Sequence, residues 1–130
     1  MDRQIVKCIR FLVICLCSSL LLHPIFLGAG KKNGDKGAHG TASFYADKFN
    51  GRTTANGEVF DNSGMTAAHN TLPLGSYVKV TNLRNGRSVI VKITDRLHRN
   101  NKRIIDLTKH AARQLGFVAR GLTTVKVQRV

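Results

Sequence analysis

The stretch SYVKVTNLRNGRSVIVKITD, residues 76–95, contains two strand patterns joined by a tight turn. In its first half, Val78 and Val80 alternate with Tyr77, Lys79 and Thr81, which is the period of two expected for a strand with one buried face. The dipeptide Asn85-Gly86 is a strong signal for a hairpin turn. Residues 88–95 are rich in β-branched side chains and supply the partner strand. The stretch therefore predicts a β-hairpin.

Two further segments predict strands on either side of this hairpin. TASFYA, residues 41–46, is a short strand candidate. LTTVKVQRV, residues 122–130, places Val125 and Val127 in alternation with Lys126 and a glutamine. Both strands are short, as in small barrels and sandwiches.

One helix is predicted before the last strand. Thr108 is a suitable N-cap residue, and Gly116 is a suitable end. Between them, Ala111, Ala112 and Leu115 recur at helical spacing, and His110 and Arg113 are expected to face outward. A mainly β domain with one short helix indicates a closed or nearly closed barrel.

The first thirty residues have the pattern of a secretory signal. MDRQIVKCIR carries three basic residues, and FLVICLCSSLLLHPIFLGAG is apolar and ends in small residues. Cleavage is expected after Ala29 or Gly30. The alternative is an uncleaved membrane anchor, because residues 11–27 approach the roughly 17 residues that a membrane helix needs. Residues 31–39 are polar and glycine-rich, which predicts a flexible linker and leaves residues 40–130 as one domain.

The cysteines and the charge limit the classes of function. All three cysteines, Cys8, Cys15 and Cys17, lie in the signal-like segment, so the domain is predicted to have no disulfide and no cysteine metal site. Ile14 and Leu16 stand where a lipoprotein signal would have a small residue, so lipidation is not expected.

The formal net charge of +14 favours a polyanionic partner. Nucleic acid is disfavoured by the export signal, the even spread of basic residues and the few aromatic side chains. Anionic cell-wall polymers and an anionic membrane face stay open as partners. A charge that only maintains solubility is the remaining alternative.

Asp95 is the acid whose position most suggests chemistry. It follows SVIVKIT, so it stands at the end of a strand that is expected to be buried, and it begins the loop RLHRNNKR. Partial desolvation of a carboxyl group favours the protonated form that a general acid needs. Arg96 and the other basic residues favour the ionised form. The alternative is an aspartate that only caps the loop.

Three other titratable residues are candidates, each with a structural alternative. Glu58 follows Asn56-Gly57 and could be a solvated turn acid. His69 ends MTAAH and could be a half-buried histidine with satisfied hydrogen bonds. Asp106 precedes the helix, where a carboxylate interacts favourably with the helix dipole. The histidines lack the spacing of a zinc site, so neither a metal nor another cofactor is expected.

Several linked motifs resemble the RlpA (rare lipoprotein A) family. They are, in order, ASFYADKFNGRTTANGE, TAAHNTLPLG, VTNLRNGRSVIVKITDR and IDLT, and together they span nearly all of residues 40–130. The resemblance implies a six-stranded double-psi β-barrel. It also implies an exported protein of the bacterial cell envelope that cleaves peptidoglycan glycan strands as a lytic transglycosylase. The same barrel occurs in expansins, so a wall-binding module without catalysis is the alternative.

The resemblance also implies roles for individual residues. Asp95 in ITDR matches the proposed catalytic acid, and Glu58 in TANGE and His69 in TAAH match functional residues of the family. The resemblance therefore implies that Glu58 and His69 belong to one catalytic site with Asp95, where they position sugar groups or tune the acid. Asp106 in IDLT matches an acid along the glycan groove of expansin-like relatives. Arg96 and Tyr45, which lie within the quoted motifs, are assigned to substrate binding.

The expected partner is the glycan strand, with the peptide-free form as one candidate. The expected chain is a monomer that contacts the membrane only through an uncleaved amino-terminal segment. One departure from the family stands beside the acid. Many members follow the aspartate-arginine pair with Gly-Pro, whereas this chain has Leu97-His98.

Overall fold

The computed structural model describes residues 36–130, which form a closed β-barrel of six strands with one α-helix. The strands are β1 (Ala38–Phe44), β2 (Thr66–His69), β3 (Tyr77–Asn82), β4 (Ser88–Arg96), β5 (Arg103–Leu107) and β6 (Thr123–Arg129), and the helix is α1 (Lys109–Leu115). The expectation of a mainly β, six-stranded barrel with one short helix is confirmed. The predicted signal segment, residues 1–30, lies outside the described residues.

The strands follow the order β1-β5-β2-β4-β3-β6 around the barrel. The pairs β1·β5 and β2·β4 are parallel, and the other four pairs are antiparallel. Each parallel pair contains one register shift, between Thr41 and Ala42 in the first and between Ala67 and Ala68 in the second. Such bulges bend the strand and increase its local twist, and both lie close to acidic residues.

The predicted hairpin is confirmed as β3 and β4. Val78 pairs with Val91 and Val80 pairs with Val89, and all four side chains are buried in the core. Burial of each such side chain contributes roughly 1.5–3 kcal/mol, so the alternating pattern determines which face points inward. Gly86 has a φ of 77°, which a glycine adopts without steric cost in the turn.

The predicted helix also has the expected boundaries. The Thr108 hydroxyl accepts a hydrogen bond from the Ala111 amide at 3.3 Å, and Gly116 ends the helix with a φ of 80°. The buried face contains Ala111 and the other two predicted residues, Ala112 and Leu115. Arg113 is exposed, as expected, whereas His110 is half-buried.

The first strand begins earlier than the sequence indicates. Ala38 pairs with Val127 and His39 pairs with Lys126 of β6, so the last two residues of the predicted linker lie in β1. Within residues 36–130, we find no helix that is both long and apolar enough to span a membrane.

Candidate active site

Four residues form one row across four neighbouring strands. Ser43 of β1 pairs with Asp106 of β5, which pairs with Ala68 of β2, which in turn pairs with Asp95 of β4. Residues next to the row in sequence, among them Ala67, belong to the core. Because successive side chains of a strand point to opposite faces, the side chains of the row point away from the core. Strands are roughly 4.8 Å apart, which puts the backbones of the two acids about 10 Å apart. In the strand register, Ala68 lies between the two acids.

Both acids of this row line one pocket, which we call the Asp95 pocket. Its volume is about 280 Å³, near the lower end for small-molecule sites. The lining residues are Tyr45, Phe49, Arg52, Thr53, Thr54, Phe60, Asp95, Arg96, Leu97 and Asp106. The strand ends therefore bring four of the six predicted site residues together: Asp95, Asp106, Arg96 and Tyr45.

The carboxylate of Asp95 is fixed by three donors. The Tyr45 hydroxyl donates to Oδ2 at 2.8 Å, and the amides of Ala55 and Arg96 donate to Oδ1 at 3.1 and 2.9 Å. Asp95 follows the bulge of β4, where the register skips Thr94. The bulge thus turns this carboxylate towards the pocket, and the donors hold it there.

Tyr45 is held as a neutral phenol beside Asp95. Burial raises the pKa of Tyr45 above its ordinary value of 10.0, and the hydrogen bond to Asp95 and the charges of Asp95 and Asp106 raise it further. The ring of Tyr45 packs on Phe60, with ring centroids 4.5 Å apart, and meets Phe49 edge-on at 5.8 Å. The aromatic cluster therefore fixes the position of the hydroxyl.

Asp106 has a different set of partners. The Ser43 hydroxyl donates to its Oδ1, and Arg103 Nη1 lies 3.9 Å from the same oxygen. Arg103 Nη1 also donates to Ser43 Oγ at 2.9 Å. The side chain of Asp106 is only 14% exposed. This carboxylate is therefore part of a compact polar cluster at the edge of the pocket.

Arg96 joins the Asp95 pocket to a second one. Its Nη1 donates to the carbonyl oxygens of Leu72 and His69, the latter at 3.3 Å. The second pocket, which we call the basic pocket, has a volume of about 640 Å³. Its lining residues are Asn70, Thr71, Arg96, Leu97, His98, Arg99 and Asn100.

His69 is not among the residues that line the Asp95 pocket. Its Nδ1 accepts hydrogen bonds from the amides of Thr71 and Leu72, both at 3.1 Å. Burial lowers the pKa of His69, and the positive charge of Arg96 lowers it further. The ring is therefore a neutral acceptor that anchors the loop after β2, and this loop forms one wall of the basic pocket.

Glu58 also lies outside the lining of the Asp95 pocket. Its Oε1 accepts a hydrogen bond from Lys92 Nζ at 2.7 Å, and this contact lowers the pKa of Glu58 and raises that of Lys92. The turn that carries Glu58 is attached to β4, because the Asn56 amide donates to the Thr94 carbonyl at 3.1 Å. Glu58 therefore lies on a turn that supports the wall of the Asp95 pocket, and it does not line the pocket itself.

The sequence reasoning missed Asn62, which organises the region behind Tyr45. Its buried side chain donates to the Tyr45 carbonyl at 3.1 Å and to Asp47 Oδ1 at 2.8 Å, and it accepts from the Lys109 amide at 2.7 Å. Ser43 and Arg103 were missed as well. The local sequence DNSG reads only as a turn, so it carried no signal for the buried role of Asn62.

Among residues 36–130, no three His, Cys, Asp or Glu side chains are placed to hold a metal ion together.

Sequence comparison identifies relatives that act on peptidoglycan. A family model described as lytic transglycolase matches residues 37–127. The endolytic peptidoglycan transglycosylase RlpA of Pseudomonas aeruginosa (strain UCBPP-PA14) is 57% identical over 89 residues. That alignment covers 68% of this chain and 26% of the relative, so the chain spans about a quarter of that protein's length.

Two solved structures are similar in fold. The Streptomyces papain inhibitor (SPI) has 26% sequence identity and a TM-score of 0.56, over 75% of this chain and 98% of its own. The apo expansin of Clavibacter michiganensis has 24% identity and a TM-score of 0.57, over 71% of this chain and 49% of its own. The expansin likeness concerns the fold alone.

Proposed function

Because the chain belongs to the RlpA family of double-psi β-barrel proteins, we propose that it cleaves the glycan strands of peptidoglycan as a lytic transglycosylase. The match to the family covers nearly all of the barrel, including every residue of the Asp95 pocket. The observation that carries the proposal is the carboxylate of Asp95, which three donors orient at a pocket that also holds Asp106.

In the proposed reaction, Asp95 acts first as the acid and then as the base. Its proton passes to the glycosidic oxygen as the bond from this oxygen to the anomeric carbon breaks. The 6-hydroxyl of the same muramic unit attacks that carbon and returns its proton to Asp95, which leaves a 1,6-anhydro end. Water is not consumed, so the nucleophilic or base carboxylate of an ordinary glycosidase is not required.

Tyr45 suits both halves of this cycle. A phenol donates a hydrogen bond to a carboxylate and accepts one from a carboxylic acid. The raised pKa keeps Tyr45 protonated. Its hydroxyl can therefore donate to Oδ2 of Asp95 when this oxygen is unprotonated and accept from it when it is protonated, without becoming charged.

The other predicted residues take supporting roles in the proposal. In the proposal, Asp106 and Arg96, which both line the Asp95 pocket, bind sugar hydroxyl groups. Glu58 holds the turn that presents the Ala55 amide, and His69 holds the loop beneath Arg96. Both act as positioning residues.

The proposed location is the bacterial cell envelope, with peptidoglycan strands as the partner. The relatives support this placement because their names record action on peptidoglycan. Export, a monomeric state and a membrane contact limited to the amino-terminal segment are part of the same proposal.

A wall-binding module without cleavage is the second candidate. One observation favours it: Leu97 lines the pocket at the position where many family members have glycine. This alternative retains the pocket and its basic surroundings but releases no product.

The deciding experiment is mass spectrometry of purified glycan strands after incubation with the purified full chain and with its Asp95→Asn variant. New 1,6-anhydromuramic ends with the parent and none with the variant are expected. New reducing ends would instead mean hydrolysis, with water as the nucleophile. Glycan that binds but stays intact with the parent would establish the wall-binding candidate.

A further inference from the structure

A third pocket lies apart from the two already described, and the proposed reaction does not use it. We call it the Arg84 pocket, and its volume is about 150 Å³. It shares no lining residue with the Asp95 pocket or the basic pocket. A ligand of this pocket therefore does not occupy the space around Asp95. The lining residues are Thr41, Arg84, Arg120, Leu122, Thr123 and Thr124.

The charged groups of the Arg84 pocket are both arginines. Arg84 and Arg120 are exposed, and among the described residues no aspartate or glutamate lines the pocket with them. The ion pairs in that part of the chain involve Lys92, Arg103 and Lys109, so neither arginine of the pocket is paired with a carboxylate there. Two like charges at one small space repel each other, and an anion between them offsets that repulsion. The charge of the pocket therefore indicates an anionic ligand.

A buried asparagine joins the two segments that form the pocket. Asn82 is 2% exposed, and its Oδ1 accepts from the Arg84 amide at 3.0 Å and from the Thr123 hydroxyl at 2.9 Å. The Leu83 amide also donates to the Thr124 carbonyl at 3.0 Å. The turn between β3 and β4 is therefore fixed to the start of β6, and the shape of the pocket does not depend on loose surface side chains.

The second arginine projects from a turn that is tied to the core. The amides of Arg120 and Gly121 donate to the Phe117 carbonyl at 3.1 and 2.9 Å, and Phe117 belongs to the hydrophobic core. Gly121 has a φ of 81°, which a glycine adopts without steric cost as the chain turns towards β6. The backbones of both arginines are thus held in place before any ligand binds.

The donors of the pocket match a phosphate group better than a carboxylate. Guanidinium groups bind phosphate oxygens through paired, charge-assisted hydrogen bonds, and the hydroxyl groups of Thr41 and Thr124 add further donors. A carboxylate offers two oxygens in one plane, whereas the oxygens of a phosphate point in tetrahedral directions and can accept from several sides. The volume lies below the usual range for whole small molecules, which suits a single group.

We propose that the Arg84 pocket is a binding site for a phosphate group, with Arg84 and Arg120 on the phosphate oxygens. Free phosphate, a small phosphate ester and a phosphodiester polymer share this chemistry. The inference does not rest on the proposed cleavage of glycan, because the two sites have no residue in common. Arg84→Gln should therefore leave the release of 1,6-anhydro ends unchanged.

The test is two-dimensional NMR of the isotope-labelled full chain during titration with inorganic phosphate at constant ionic strength. The amide signals of Arg84, Thr123 and Thr124 are expected to shift together and to saturate, since these residues line the pocket. Acetate at the same concentrations is the probe for a carboxylate, and it should bind about ten-fold more weakly because it offers fewer acceptor oxygens.

Two variants and a matched control assign the binding to the pocket. Arg84→Gln and Arg120→Gln should each weaken phosphate binding about ten-fold, the size of one charge-assisted hydrogen bond. Arg87→Gln is the control, because Arg87 is exposed in the same hairpin turn as Arg84 but does not line the pocket. It should weaken binding less than about two-fold at about 0.15 M salt, where exposed charges are screened.

Equal losses in Arg84→Gln and Arg87→Gln would overturn the proposal, since the anion would then follow the overall charge of the protein. Acetate that binds as tightly as phosphate would overturn it as well. Two more probes distinguish the sources of the phosphate: glycerol phosphate, a small ester, and poly(glycerol phosphate), a diester polymer. Tighter binding of the polymer, compared per phosphate, would support the site and assign it to a polymer. The reverse order would support the site and assign it to a small ester.

Discussion

The two parallel strand pairs of the barrel resemble each other, yet their acids differ. In β2·β4 the register skips Thr94, and Asp95 follows directly. In β1·β5 the register skips Ile104, and Asp106 follows two residues later. Both acids reach the same pocket, on either side of Ala68. The shared geometry explains why two carboxylates line one pocket. The hydrogen-bond and charged partners of each carboxylate explain why we assign them different roles.

The partners of the two acids set them apart. Asp95 accepts from two backbone amides and a neutral phenol, which orient it without adding a full positive charge. Asp106 interacts with Ser43 and lies within ion-pair distance of Arg103. A carboxylate whose partner is a guanidinium group contributes to the fold. A carboxylate that neutral donors orient at a pocket is available to a bound sugar.

The largest expected effect separates these two roles. Asp95→Asn should lower glycan cleavage by about 10²–10⁴-fold, the usual contribution of a general acid or base. Asp106→Asn should lower cleavage only a few-fold, yet reduce the free energy of unfolding by about 1–3 kcal/mol, because a partly buried cluster loses the negative charge that faces Ser43 and Arg103. Product analysis and urea unfolding of both variants measure the two quantities.

The comparison fails if the two variants exchange these effects. A folded Asp106→Asn chain without activity, beside an active Asp95→Asn chain, would assign the acid to β5. Ser43→Ala is the control for stability, since it removes the hydroxyl partner and leaves the Asp106 carboxylate present.

A smaller effect is expected at Tyr45. Tyr45→Phe retains the ring that packs on Phe60 but removes the hydroxyl that orients Asp95. We expect kcat to fall about ten-fold with little change in KM, because the lost contact matters most in the transition state. Steady-state kinetics with soluble glycan fragments would measure both constants. A rise in KM with unchanged kcat would instead show that Tyr45 only binds the sugar.

The hairpin and the helix were predictable because their signals are local. Alternating valines, Asn85-Gly86, Thr108 and Gly116 each act within a few residues of their own position. Neither β2 nor β5 was identified from its own pattern. TAAH is only four residues long and rich in alanine, which has little preference for strands. RIIDL has only five residues and directly follows a polar loop. The count of six strands came from the family resemblance.

The site was predictable in its acids but not in its arrangement. Asp95 was identified from its place at a strand end, and its pocket lies there. The partnership of Tyr45 with Asp95 joins residues 50 positions apart, which no local pattern reveals. Glu58 and His69 were expected to share the site with Asp95, whereas the structure ties them to Lys92 and to the loop after β2. Their catalytic importance stays a prediction.

The smallest expected effect concerns His69, which adjoins Ala68 in the same strand as the row of the two acids. Because the pKa of folded His69 is lowered, the neutral ring stabilises the fold above the ordinary value of 6.5, and this contribution is lost as the pH falls below that value. The melting temperature should therefore drop by a few degrees between pH 7 and pH 5. His69→Asn should reduce that drop, since an amide oxygen can replace Nδ1 as acceptor without titrating. His39→Asn, on the exposed part of β1, should leave it unchanged. An unaltered pH dependence in His69→Asn would mean that the loop does not rely on the neutral ring, and the support of Arg96 would then have to come from the backbone alone.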